Sequence, residues 1–132
     1  MPDTKSVLLV MNEGELSREL NTLLDGMGYL VTELADVSNM REHLDSHRYD
    51  LLVMGTTLPD LNWRATVTDI RNTTNVARVM MITCDAQDAD LRSALSAGSY
   101  VVLERPISPT KLSDIIALRR YGMYLVVRGQ SQ

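Results

Sequence analysis

Short, unbroken runs of apolar residues recur along the chain, and segments with mixed polarity separate them. The four clearest runs are residues 7–11, 51–54, 79–82 and 100–103. A strand that is apolar at every position is typical of a parallel sheet that is covered by helices on both faces. Residues 29–34 mix apolar and polar side chains, and there we predict an edge strand.

The segments between these runs have the periodicity of helices. In the first segment, apolar residues fall at positions i, i+4, i+7, i+8 and i+11, namely Leu16, Leu20, Leu23, Leu24 and Met27. Gly28 is placed to end this helix, and Ser38 is placed to cap the second one. The third predicted helix begins at Asn62, the fourth covers residues 88–97, and the fifth opens with Ser108 as N-cap and Pro109 as first helical residue.

Strands that alternate with helices predict an α/β domain. Five such strands favour a doubly wound parallel sheet of order 2-1-3-4-5 with helices on both faces. In this architecture the strand order reverses between strands 1 and 3. The crevice beyond their carboxyl ends is therefore where functional chemistry is expected.

Length, charge and cysteine content narrow the class of protein. The 132 residues fit one domain and exclude a multidomain enzyme. With 13 basic and 17 acidic residues the net charge is −4, which disfavours direct binding to nucleic acid. Cys84 is the single cysteine, the first residues lack a basic leader, and no apolar run approaches the roughly 20 residues of a membrane span. We therefore expect a cytoplasmic protein without a disulfide or a membrane segment.

The end of the chain is unusually apolar. Residues 121–128 are rich in strand-forming side chains, and an exposed segment of this kind invites pairing. It is predicted to extend the last helix, add an edge strand, mediate dimerisation or begin a linker to another domain. We accordingly divide the chain into a domain of residues 1–120 and an apolar tail of residues 121–132.

Four segments together resemble the receiver domain of bacterial two-component response regulators, a flavodoxin-like (CheY-like) family. They are SVLLVMNEGELSREL, YDLLVMGTTLPDLNW, VMMITC and ALSAGSYVVLERPISPTKL, and the match spans residues 5–120. The resemblance implies the sheet order predicted above and a non-enzymatic signalling role. Receiver domains accept a phosphoryl group on an aspartate at the end of strand 3. Two acidic residues after strand 1 hold magnesium, and a hydroxyl residue and a lysine contact the phosphoryl oxygens.

The resemblance also implies that this phosphorylation site is degenerate. The corresponding positions are Met11 and Asn12 for the acidic pair, Gly55 for the acceptor, Thr83 for the hydroxyl and Arg105 for the lysine. Glycine offers no nucleophile, a thioether is a soft ligand that magnesium does not favour, and an amide brings no charge. Glu13 is the acidic residue that remains nearby. We therefore predict a pseudo-receiver that needs no metal or other cofactor.

Pseudo-receivers of this family act through protein contacts, so the expected partners are an attached or separate output protein and a second copy of the chain. Control of transcription would then be indirect. The family often uses the face formed by the fourth helix, fifth strand and fifth helix, and the usual aromatic switch residue of that strand is replaced by valine. The candidate interaction residues are Trp63, Leu95, Tyr100, Val102, Leu112 and Tyr124.

Two alternatives place a ligand at the crevice. A small anion or nucleotide could bind over Gly55 against Thr83 and Arg105, which would make the domain a ligand sensor. Against this, an internal ion pair of Arg105 with Glu13 or Asp60 is favoured, because an unpaired buried guanidinium is costly. A flavin is disfavoured, because the loop NEGELS lacks the phosphate cradle of flavin-binding members of this fold.

Other reactive side chains have ordinary structural interpretations. Asp50 lies at the far, amino end of strand 3, so it is a poor substitute acceptor. His43 and His47 share a helix face and could chelate a transition metal, although no third ligand is evident. Cys84 is expected to be an inert core thiol, and Trp63 is either a partner anchor or a packing residue of the third helix.

Overall fold

The computed structural model describes residues 5–12, 14–55, 79–83, 100–105, 107–116 and 125–127. Its strands are β1 (Ser6–Val10), β2 (Leu30–Leu34), β3 (Leu51–Gly55), β4 (Val79–Thr83), β5 (Tyr100–Glu104) and β6 (Leu125–Val127). Its helices are α1 (Gly14–Gly26), α2 (Met40–Ser46) and α3 (Pro109–Ile116), which correspond to the first, second and fifth predicted helices. The third and fourth predicted helices lie outside the described residues.

All strands of the sheet are parallel, in the order β2-β1-β3-β4-β5-β6. The predicted order 2-1-3-4-5 is confirmed for the first five strands. The edge position of β2 is confirmed as well, with Leu30 at its start 64% exposed. Every residue of β3 and β4 is buried, in accordance with their unbroken apolar sequence.

A sixth strand extends the predicted sheet. Leu125–Val127 pairs with β5, with Leu125 opposite Val101 and Val127 opposite Leu103. Among the alternatives for the tail, the structure therefore has the edge strand. A parallel partner requires a crossover connection, and α3 lies between β5 and β6 in the chain. The division of the chain at residue 120 stays a prediction, although part of the tail joins the sheet of the domain.

The main apolar cluster lies where α1 and α3 pack against one face of the sheet. Alternate residues of β1 and β3 contribute to it, together with the inward faces of both helices: Val7, Leu9, Met11, Leu51, Val53, Leu16, Leu20, Leu24, Leu112, Ile115 and Ile116. Leu112 is 1% exposed. The prediction that Leu112 belongs to an interaction surface is therefore wrong, because the amphipathic pattern of α3 directs it into the core.

The predicted end of α1 and the predicted start of α3 at Pro109 are confirmed, whereas the predicted cap of α2 is not. Gly28 adopts φ 93°, its N–H donates to the Asp25 carbonyl, and the next N–H, of Tyr29, donates to the Leu24 carbonyl, which is the glycine-dependent termination expected for α1. The Ser108 hydroxyl accepts the Lys111 N–H at the start of α3. The prediction that Ser38 caps α2 is wrong. Asn39 is the N-cap, and the N–H and hydroxyl of Ser38 both donate to Asp36 Oδ1.

Candidate functional site

The five predicted site residues lie at or just beyond the carboxyl ends of the strands. Met11 directly follows β1, Gly55 ends β3, Thr83 ends β4 and Arg105 directly follows β5. The register pairs Val10 with Met54, Gly55 with Ile82 and Thr83 with Glu104, so these carboxyl ends are adjacent. The structure thus brings together the crevice that the sequence predicts, with Asn12 exposed at its rim.

Met11 covers Gly55. A Cβ atom built on Gly55 would lie 3.0 Å from Cε, 3.7 Å from Cγ and 3.9 Å from Cβ of Met11. Met11 is only 4% exposed and belongs to the main apolar cluster. The backbone of Gly55 is outside the left-handed region, so its strand conformation does not itself require glycine. The missing side chain is instead replaced by a packed methionine.

Thr83 and Arg105 are linked through the backbone. The Arg105 N–H donates to the Thr83 carbonyl oxygen at 2.8 Å, and Thr83 is 4% exposed. Arg105 also lines a cavity of about 300 Å³ with Gly14, Glu15, Leu16 and Glu19. Two of those residues, Glu15 and Glu19, carry carboxylates, and their negative charge opposes the binding of an anion beside Arg105.

A larger polar cavity lies between α1 and the carboxyl end of β2. It has a volume of about 490 Å³, and Met11, Asn12, Ser17, Arg18 and Glu33 are among its lining residues. The buried Ser17 hydroxyl donates to Glu33 Oε1 at 2.7 Å. Sequence reasoning missed this pair. Its signal was a serine three and seven residues before two inward leucines, which places it on the buried face of the helix.

Asp50 has a structural role at the opposite end of the sheet. Its Oδ2 accepts the Ser6 N–H at 2.8 Å, and its own N–H donates to the Ser6 carbonyl at 2.9 Å. These bonds fasten the start of β1 to the residue before β3. The prediction that Asp50 lies far from the crevice is confirmed. Asp60 and Glu13 lie outside the described residues.

The histidine pair forms a small aromatic cluster with Tyr49. The ring centroids of His43 and His47 are 5.9 Å apart, and His43 Nδ1 lies 3.3 Å from the Tyr49 hydroxyl. Burial raises the pKa of Tyr49, and a hydrogen bond with Thr32 opposes that effect. Within the described ranges, no group of three or more histidine, cysteine or acidic side chains is placed to hold a metal ion.

The remaining candidate interaction residues are less completely described. Tyr100 and Val102 lie on β5, with their side chains outside the described part of the structure. Trp63, Leu95 and Tyr124 lie outside the described residues, as does Cys84. Across the residues that the structure does describe, no helix combines the length and apolar character needed to cross a membrane.

Comparison with known proteins identifies similar sequences and folds. The family model described as "Response regulator receiver domain" matches residues 7–117. The transcriptional regulatory protein GltR of Pseudomonas aeruginosa is 29% identical over 128 residues, which cover 95% of this chain and 53% of that protein. The CpxR homolog of Haemophilus influenzae is 32% identical over 108 residues, which cover 80% of this chain and 46% of that protein. The chain therefore spans about half the length of these curated relatives.

A solved receiver domain supplies a structural comparison. The receiver domain of the sensor histidine kinase PA1611 from Pseudomonas aeruginosa has a TM-score of 0.74 and 26% identity, covering 86% of this chain and 94% of that one. That protein has a magnesium ion coordinated in its active site cleft. A receiver domain of a putative LuxO repressor from Vibrio parahaemolyticus has a TM-score of 0.75 at 19% identity, covers 88% of this chain and 89% of that one, and shows the fold alone.

Proposed function

This chain belongs to the response regulator receiver domain family, and we propose that within it the chain is a pseudo-receiver: it is not phosphorylated at position 55 and regulates its output through protein contacts. The observation that carries the proposal is Gly55 beneath the buried side chain of Met11. Aspartyl phosphorylation needs a carboxylate oxygen to attack phosphorus and a hard cation to neutralise the transferred group. The five positions that correspond to the family's site supply no carboxylate.

Among the residues that the structure describes, we identify no replacement for this machinery. Asp50 is hydrogen-bonded at the opposite end of the sheet. Met11 offers a thioether and Asn12 a neutral amide oxygen, so the loop after β1 lacks the pair of charged oxygen ligands that magnesium prefers. Arg105 keeps a positive charge but presents a planar fork in place of a lysine ammonium. With both the nucleophile and the metal ligands changed, the proposal is that the state of this domain is not set by phosphoryl transfer.

A receiver that does not accept phosphate can still signal by binding. The curated relatives are named as regulatory proteins and are about twice as long as the matched part. We therefore propose that this domain contacts an attached or separate output protein, in the cytoplasm, and that regulation of transcription is indirect. Self-association is a second form of the same proposal. We place the contact surface on the β5 side of the domain, where Tyr100 and Val102 are the candidate residues on β5 and where β6 forms the edge of the sheet.

The test is a phosphorylation assay on the full chain. Purified protein is incubated with Mg²⁺ and acetyl phosphate, and its intact mass is compared before and after. In a competent receiver, an aspartate oxygen attacks phosphorus, a new O–P bond forms, and the P–O bond to acetate breaks with acetate leaving as the anion. A family member with an aspartate at the acceptor position is the positive control. We expect no phosphoryl mass on this chain, and a stable gain mapped to the crevice would overturn the proposal.

A ligand sensor is the weaker proposal. An anion placed over Gly55 would meet the methyl end of Met11, and the cavity at Arg105 is lined by Glu15 and Glu19. Both features disfavour an anion. A melting temperature that rises with a nucleotide or phosphate concentration would favour the sensor instead.

A further inference from the structure

Met11 stands where the family has a magnesium ligand, and its side chain packs over the acceptor position. Val10 is paired with Met54, which places Met11 beside Gly55 at the ends of two hydrogen-bonded strands. The alternation of β1 and β3 puts Val7, Leu9, Leu51 and Val53 in the main apolar cluster. By the same alternation, a side chain at position 55 would point to the face on which Met11 packs.

From this geometry we infer that Met11 is a specificity-determining residue, which excludes an acceptor side chain and its metal from the crevice even when an aspartate is supplied at position 55. The inference rests on the proposed function and extends it. If only the acceptor were missing, an aspartate at position 55 would restore phosphorylation. Because Met11 on the neighbouring strand packs over that position, we expect that restoration also requires a change at position 11.

The contact has a steric and an electrostatic consequence. The Met11 methyl group lies 3.0 Å from the site of a Cβ at position 55, closer than an ordinary van der Waals contact. Met11 is 4% exposed and shares the main apolar cluster with Leu16 and Leu20, so its displacement would disturb the packing of that cluster. A carboxylate introduced there would be desolvated against a thioether, which disfavours its charged, nucleophilic form. The same thioether withholds the oxygen ligand that a magnesium ion would need.

The test supplies the acceptor and one acidic ligand and varies position 11 alone. N12D/G55D keeps Met11, whereas M11D/N12D/G55D replaces it with a carboxylate. Both are treated with Mg²⁺ and acetyl phosphate and followed by intact mass. We expect phosphoryl incorporation in N12D/G55D to be at least about tenfold lower than in M11D/N12D/G55D, because losing even the outer support of a metal site costs about 10- to 100-fold in affinity. Equal incorporation would overturn the inference, and so would a triple variant that stays unmodified.

A second readout needs no phosphoryl transfer and separates misfolding from exclusion. The fall in melting temperature on adding G55D to N12D is compared with the fall on adding it to M11A/N12D. We expect the smaller fall when the methionine has been removed, and an equal or larger fall contradicts the steric part of the inference. The proposed function fails differently, because it requires only that the unaltered chain stay unphosphorylated. If the natural chain stays inert while N12D/G55D incorporates as much phosphoryl group as M11D/N12D/G55D, only the inference about Met11 is overturned.

Discussion

Replacing Gly55 by alanine adds one methyl group at the point of closest contact with Met11. Gly55 lies in β3 with an ordinary strand backbone, so alanine fits the conformation of the main chain. Such a change, where no contact opposes it, stabilises a protein by about 0.4–1 kcal/mol because it restricts the unfolded chain. Here the added methyl would lie 3.0 Å from Met11 Cε, and Met11 is 4% exposed.

The two effects have opposite signs, and packing decides the result. Forcing an extra methyl group into a filled core costs about 1–3 kcal/mol. Because the closest atom is the end of a flexible side chain, we take the lower half of that range, which leaves a net loss of about 1 kcal/mol for Gly55→Ala. In a Met11→Ala background the opposing methyl is gone. There the same substitution should stabilise by about 0.5–1 kcal/mol.

Urea unfolding of four proteins measures this difference. They are the natural chain, G55A, M11A and M11A/G55A, and the coupling free energy follows from the double-mutant cycle. The cavity left by M11A costs about 2–5 kcal/mol by itself, but that loss cancels within the cycle. We expect a coupling of about 1–2 kcal/mol. If the G55A effect is the same in both backgrounds within about 0.5 kcal/mol, Met11 does not fill the acceptor position and the reasoning is refuted.

Three further changes probe other parts of the structure. Tyr49→Phe removes the hydroxyl next to His43 and should cost about 1 kcal/mol at neutral pH. Because burial raises the pKa of Tyr49, the neutral phenol is the form that the fold favours. The natural chain should therefore lose stability relative to Y49F as the pH rises above the ordinary tyrosine pKa of about 10. If urea unfolding gives the same difference in free energy between the two proteins at neutral pH and above that pKa, the reasoning is contradicted. Asp50→Ala should lower the free energy of unfolding in urea by about 1–3 kcal/mol, because the Ser6 N–H loses its acceptor. An unchanged free energy would show that this hydrogen bond does not stabilise the start of β1. Deleting residues 121–132 removes β6 and exposes the edge of β5, so thermal unfolding should show a lower melting temperature and light scattering should show self-association; a natural dimer that dissociates on deletion would instead make the tail an interface.

Local sequence signals predicted the central part of the fold. Unbroken apolar runs identified β3 and β4 as doubly covered strands, and both are buried throughout. Gly28 ended α1 through the positive φ that glycine adopts without strain. These features depend on residues close in sequence, so periodicity and end signals suffice to find them. The strand order then followed from the connection rules for parallel sheets.

Features that depend on tertiary packing were harder to predict. The sequence showed that positions 11 and 55 are not acidic, but the contact between Met11 and Gly55 depends on the register of two strands distant in the chain. The tail allowed several structures, and pairing with β5 selected one of them. Leu112 was predicted to belong to an interaction surface, but its burial places it in the core. A family pattern located that surface by analogy, without regard to the packing of this chain.

The most direct test of the central claim asks whether the crevice responds to a phosphoryl mimic. Amide NMR spectra of the full chain are recorded with Mg²⁺ alone and with Mg²⁺ and beryllofluoride, which needs a carboxylate oxygen at the acceptor position to form its mimic of an aspartyl phosphate. We expect no saturable shift at Asn12, Gly55, Thr83 or Arg105. A saturable shift at these four amides that requires both reagents would show a working acceptor site, and the chain would then not be a pseudo-receiver.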